Sequence, residues 1–415
     1  MQNFLFTFLS ICFVRANLIL TPKEHHLFTF EFGSFAQEHN LDSLATIGDL
    51  VLFKTDTKNY NKYKSTFDQF FDVEQEQVYT VNPIKSKTEN LVYIPESDGS
   101  FSMLKVSDDR VPWHLDRISK RELPLDGSYA YSLPGSCHKN SDVEINTYVV
   151  DTGVDETHPE FQGRAKFLEN FTGDNENFDG NSHGTHCSGI IGSKTYGVCK
   201  DTLIFGVKVL DSQGSGSTSG VIAGMNYAFK RHLENEKKNP NVRSIISMSL
   251  GGGKSIAMNR AVENMIKNSN TFYIVVAAGN ENQDVKSSSP ASARGILTVM
   301  AMGKDDQRAY FSNFGRTASI YGTGVEIEST ILRDATVDQV AVAGVPNVNG
   351  ITEVTAFIVP TELFDVEKFK KSLKQQLFPH QNPRHIHIVK ALPETMTNKK
   401  DRRTLAKGAA HAVKL

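Results

Sequence analysis

The chain has 415 residues, enough for two or three units that each bury a core. Apolar residues make up 39% and charged residues 22%, an ordinary balance for a water-soluble globular chain. A net charge of −2 leaves no electrostatic footprint for nucleic acid or an anionic membrane surface, so neither is expected as a partner.

Residues Phe4 to Val14 form a short apolar run that cannot span a bilayer. It ends in Val14-Arg15-Ala16, with small residues where a signal peptidase reads, which predicts a signal peptide over 1–16 and a secreted product. The sequon Asn170-Phe171-Thr172 fits that route. Of the four cysteines, Cys12 lies in the leader and Cys187 beside a histidine motif; Cys137 and Cys199 could bridge, with connectivity left open.

From His26 to Leu104, short apolar stretches alternate with one polar helical stretch. Leu27 to Phe32 has strict period two, Asp49 to Phe53 is a second strand-like run, and Asn59 to Phe71 is helix-like. Further on, Asn146 to Val150 reads as a buried strand delivering Asp151, Thr152 and Gly153. Strands are predicted at 203–210, 244–250 and 272–278, with helices at 218–236 and 256–268 between them. Continuous Val/Ile runs of this kind belong to parallel strands covered on both faces, so the fold class is α/β: a parallel sheet with helices on both faces. Ligands bind such sheets outside the carboxyl ends of the strands, where Asp151, Leu250-Gly251-Gly252-Gly253 and Gly279-Asn280 fall.

One stretch, Asn181-Ser-His-Gly-Thr-His-Cys-Ser-Gly189, carries the chemistry. A carboxylate at a strand end can orient one imidazole nitrogen and free the other to take a proton from a nucleophile, so Asp151 and His183 form two thirds of a hydrolytic triad. Singly, each residue also suits an ordinary turn or cap. Together, Asp151-Thr-Gly and His183-Gly-Thr-His resemble the subtilisin-like serine proteases, in particular the proteinase K-like branch. The resemblance covers about 111–321 and includes Val111-Pro-Trp-His-Leu115, His158-Pro-Glu-Phe161, Gly206-Val-Lys-Val-Leu210, Ser249-Leu-Gly-Gly-Gly253, Ala277-Ala-Gly-Asn280 and Ser289-Pro-Ala-Ser292 in family order. It implies that Asp151 orients the base, His183 is the base and Asn280 offers its amide to the oxyanion. It also implies that Gly214, Ser215 and Gly216, with Leu250, Gly251 and Gly252, pair with a peptide substrate as added strands. The α+β segment over 17–108 resembles the inhibitory pro-domain that precedes such a peptidase unit, here 109–325, and would be its intramolecular partner.

The family places its nucleophile in Gly-Thr-Ser-Met-Ala-x-Pro, and no Gly-Thr-Ser occurs downstream. Ser329 lacks a helix-start context, and Ser372 lies in a basic amphipathic stretch. Ser319 stands where proteinase K-like enzymes carry a calcium carboxylate, and neither a metal nor another cofactor is expected. Gly324 to Thr330 reads as strand-like, and from Glu326 the pattern changes. Two strands, Val340 to Pro346 and Ile351 to Val359, flank Asn349-Gly350; a helix with Val366, Phe369, Leu373 and Leu377 on one face follows, then Arg384 to Val389. This segment, 326–415, carries about five net positive charges beyond Leu332 and resembles the small C-terminal domain of acyl-adenylate-forming (AMP-binding) enzymes. Lys399 matches that family's adenylation lysine, with Asn398 in place of the preceding glycine and no large ATP-binding domain to act with. Three functions therefore stand: a secreted serine endopeptidase acting on protein or peptide, a catalytically inactive peptide-binding pseudoprotease or chimera, and a fragment of an adenylating enzyme.

Overall fold

The computed structural model describes residues 17–23, 32–81, 111–129, 143–325, 327, 329–330, 337–346, 352–360 and 385–388. The expected signal peptide, Cys137, the helix at 366–377 and Lys399 all lie outside them.

The first unit comprises β1 (Asn17–Pro22), α1 (Phe32–Glu38), β2 (Asp42–Ile47), β3 (Leu50–Asp56), α2 (Thr57–Lys62), α3 (Lys64–Phe70), β4 (Phe71–Gln75) and β5 (Val78–Thr80). An antiparallel sheet runs β2-β3-β1-β4. Alternation splits its side chains cleanly: Leu20 and Phe53 join Phe35, Phe67 and Phe71 under the short helices, while Ile19 and Leu52 face the main body. Two expectations are corrected. Phe32 opens a helix rather than closing a strand, and the helical stretch over 59–71 is two helices that meet at Tyr63, the first starting where the Asp56 carboxylate caps the Asn59 N–H.

The second unit holds α4 (Trp113–Ser119), β6 (Glu144–Asp151), β7 (Ala165–Asn170), α5 (His183–Gly192), β8 (Leu203–Lys208), β9 (Ser215–Ser217), α6 (Thr218–Lys238), β10 (Val242–Met248), β11 (Gly252–Gly253), α7 (Ile256–Lys267), β12 (Phe272–Ala277), β13 (Ser288–Ser289), β14 (Leu297–Met302) and β15 (Ile320–Thr323). Seven strands form one sheet in the order β15-β14-β12-β10-β6-β8-β7, every pairing parallel. Neighbouring residues of β6 serve opposite faces: Tyr148 and Val150 pack with Val221, Met225 and Met258 of α6 and α7, and Val149 packs with Ile204, Cys187 and Ile191 on the side of α5. Helices thus cover both faces, as the apolar runs predict. The opening helix α4 is tied to the far end of the sheet, where the Trp113 indole donates to the Val325 carbonyl (3.1 Å) and Arg117 pairs with Asp306.

A third sheet comprises β16 (Val337–Pro346), β17 (Thr352–Pro360) and β18 (His385–Ile388). The hairpin expected around Asn349-Gly350 is present as the antiparallel pair β16–β17, and β18 joins β17 in parallel. The stretch expected to be a strand, 324–330, is not one where it is described: β15 ends at Thr323. Instead the Ser329 and Thr330 hydroxyls donate to the His186 and Thr185 carbonyls (2.6 and 2.7 Å), laying that stretch across α5 at Gly189, where a Cβ would meet both hydroxyls. No helix among the described residues is long and apolar enough to cross a membrane.

Candidate active site and peptide cleft

Asp151 is the last residue of β6 and fully buried, while His183 is the first residue of α5. The ring Nδ1 lies 2.7 Å from Asp151 Oδ1, which also accepts the Thr152 N–H at 2.7 Å. Gly184 makes this approach possible: a Cβ there would fall 2.1 Å from the Gly153 carbonyl. Burial disfavours a charged ring, but the adjacent Asp151 carboxylate outweighs it and holds His183 well above the ordinary imidazole value. The resting ring is therefore the donor in the pair. His186 has no such partner, and burial together with the His183 charge pushes it down to about 4. Cys187, one turn along α5, is half-buried with Sγ 3.8 Å from His183 Nδ1, as expected of a small apolar neighbour of the site. Cys199 is disulfide-bonded, its partner lying outside the described residues.

The expected peptide-pairing segments are already occupied by the chain itself. β5 runs antiparallel to β9, with Val78 opposite Ser217, Tyr79 opposite Gly216 and Thr80 opposite Ser215. On the other side Thr80 and Gly251 exchange both backbone hydrogen bonds (3.1 and 3.3 Å), and the Val81 N–H reaches the Gly214 carbonyl (3.0 Å). The inserted strand is thus the middle of three. Tyr79 is fully buried, its ring against Gly252, where a Cβ would lie 3.2 Å from it. Gly252 itself pairs with Ser289 rather than with the inserted strand, so of the expected triplet Leu250, Gly251 and Gly252 only Gly251 bonds the inserted strand among the described residues. Leu250 is buried in the core. Two carboxylates seat the strand at helix starts: Glu76 accepts from the Ser219 N–H and hydroxyl at α6, and Glu74 from the Ile256 N–H and the Ser255 hydroxyl at α7.

Asn280 follows β12 and stands at the same edge of the sheet as Asp151, with only β10 between their strands, roughly 10 Å apart at ordinary strand spacing. Gly279 before it has φ +101°, and the buried Asn313 amide fastens this turn, donating to the Ala278 carbonyl (2.9 Å) and Glu281 (2.7 Å) and accepting the Glu281 N–H (3.1 Å). Ser329 is buried with its hydroxyl committed to the His186 carbonyl. Ser319 bonds the Thr298 N–H and the Ile296 carbonyl. The Asn170 amide donates to Asp174 and to the Glu176 carbonyl, so the sequon asparagine clamps its own loop. Sequence reasoning missed Asp179, Asn313, Glu74 and Glu76. Only Asp179, in Asp-Gly-Asn-Ser before His183, leaves a local trace, that of a turn.

Comparison with known proteins places this geometry. The Subtilase family profile matches residues 147–346. Proteinase T of Parengyodontium album is 43% identical over 238 residues, 57% of this chain and 76% of that protein. This chain belongs to the subtilase family. Subtilisin-like serine protease Rho m 2.0101 of Rhodotorula mucilaginosa is 47% identical over 221 residues, 53% of this chain and 63% of that protein. Alkaline serine protease ver112 of Corniculantispora psalliotae is 43% identical over 236 residues, 57% of this chain and 58% of that protein. The subtilase thus spans less than two thirds of the length of these two relatives. A crystal structure of a cold adapted subtilisin-like serine proteinase aligns at 38% identity over 54% of this chain and 76% of that one, with a TM-score of 0.47. The AMP-binding enzyme C-terminal domain profile matches 326–399, overlapping the subtilase match over 326–346.

Proposed function

We propose that this subtilase is a secreted protein of serine endopeptidase descent whose cleft binds extended peptide but which does not cleave it. The carrying observation is the strand Val78–Thr80 seated between Ser215–Ser217 and Gly251. A cleft that accepts its own chain as a third strand accepts any peptide that supplies the same backbone donors and acceptors. Residues 17–108 are the inhibitory pro-unit, 109–325 the peptidase unit and 326–415 an adenylating-enzyme-type appendage.

In the serine endopeptidases of this descent the residues in these positions would act together, Asp151 orienting His183 to take a nucleophile's proton and Asn280 steadying the oxyanion. What remains without a Gly-Thr-Ser segment is the base half of the machine and the binding cleft. Removing the nucleophile of subtilisin costs about 10⁶ in kcat, which sets the scale of the deficit.

The test is direct binding of a labelled peptide spanning Glu76 to Val81. The variant Tyr79→Ala, whose own strand loses its buried anchor, binds it at least ~10-fold more tightly than the unaltered chain, in which the cleft is filled. Failure of Tyr79→Ala to bind at millimolar peptide, or binding no tighter than that of the unaltered chain, overturns the reading.

A further inference from the structure

We propose that Asp179 is a positioning residue for the Asp151–His183 pair, its carboxylate locking the end of β6 to the start of α5. The inference rests on the reading of that pair as the base half of a hydrolytic site, and it assigns a role to a buried acid that touches neither member.

The carboxylate is 1% exposed and accepts from five donors. Oδ1 takes the Thr152 hydroxyl (2.8 Å), the Asn181 N–H (3.0 Å) and the Ser182 N–H (2.9 Å). Oδ2 takes the Thr185 N–H (2.9 Å) and hydroxyl (2.6 Å). These donors flank the pair on both sides. Thr152 follows Asp151, and its hydroxyl in turn accepts the Gly184 N–H (2.9 Å), the amide next to His183. Ser182 precedes His183 and sits at φ +78°, a left-handed conformation that strains a non-glycine residue by about 1 kcal/mol or more. Its N–H to Asp179 holds it there. The Thr185 hydroxyl closes the far side by accepting the Asp155 N–H (2.9 Å). Strand end and helix start are thus joined through one anion, and the 2.7 Å contact between ring and carboxylate is set by that junction.

Every partner of Asp179 is a donor, so the site is saturated and has no place for a ligand. An amide of the same shape must turn its own NH₂ toward one set of donors, which leaves buried N–H groups unpaired. Asp179→Asn therefore releases the Ser182 turn and lets His183 drift from Asp151. Thr152→Val removes both hydroxyl bonds that couple the two segments, the one to Asp179 and the one from the Gly184 N–H, and Thr152→Ser keeps them.

Proton NMR of the full chain reads the result, the His183 signal being assigned by its loss in His183→Gln. In the unaltered chain His183 gives a far-downfield Nδ1 proton and titrates well above the ordinary imidazole value. Asp179→Asn and Thr152→Val abolish that proton and lower the midpoint by about one pH unit or more toward the ordinary value; Thr152→Ser preserves both. His232, buried among Ser244, Ser269 and Thr271, reports whether the fold survives, and its resonances stay unchanged. A downfield proton and midpoint that persist in both variants overturn the proposal, and Thr152→Val decides alone should Asp179→Asn not fold. Absence of the downfield proton in the unaltered chain would instead overturn the reading of the pair itself.

Discussion

At the residue scale the governing interaction is one carboxylate against one imidazole at 2.7 Å. Asp151→Asn keeps the shape and removes the charge, so the burial that disfavours the imidazolium is opposed only by the smaller contribution of Cys187. His183 should then titrate below the ordinary 6.5 rather than well above it, a reversal of sign that a histidine NMR titration reads directly. An unmoved midpoint would mean that another group holds the proton. Asp151 and His183 were legible in sequence because each sits in a short local motif whose residue types are fixed by the chemistry. Asp179 and Asn313 were not, because the Asp179 bond to Thr152 and the Asn313 side-chain bonds to 278–281 join segments that only the fold brings together.

Among the elements, the seating of β5 depends on acids at helix starts. Burial raises the Glu76 carboxyl, but hydrogen bonds from Ser219 and Asn17 and the charge of Lys54 outweigh it and hold the group below its ordinary value of 4.5. A carboxyl depressed in the folded state contributes stability that is complete above the unfolded value and lost as pH falls through the folded one. Glu76→Gln should therefore cost about 1–2 kcal/mol at pH 7, and its thermal midpoint should converge with that of the unaltered chain well below pH 4.5. A gap that persists at low pH would assign the loss to packing instead. The strands and long helices of the parallel sheet could be read from apolar runs and caps, since burial on both faces leaves a continuous pattern. Reading failed over 324–330, where an alternating stretch crosses α5 instead of extending the sheet: its register was decided by Ser329 and Thr330 finding helix carbonyls, a long-range event.

For the molecule as a whole, β15 is the outermost strand of the sheet among the described residues, and there Ile320 and Tyr321 are 57% and 42% exposed, beside Leu297 at 52%. Apolar surface left in water forgoes roughly 25 cal/mol per Å². The chain should accordingly bind a hydrophobic dye and lack a single sharp thermal transition. A cooperative transition without dye binding would mean that residues 326–415 cover that edge. The two family matches overlap over 326–346.

The central claim, a peptide-binding subtilase cleft without a working nucleophile, is tested most directly by fluorophosphonate labelling of the purified full chain, before and after mild proteolysis to remove residues ahead of Val111. The account predicts no serine adduct by mass spectrometry in either state. A stoichiometric adduct on any serine, prevented by His183→Gln, would contradict it.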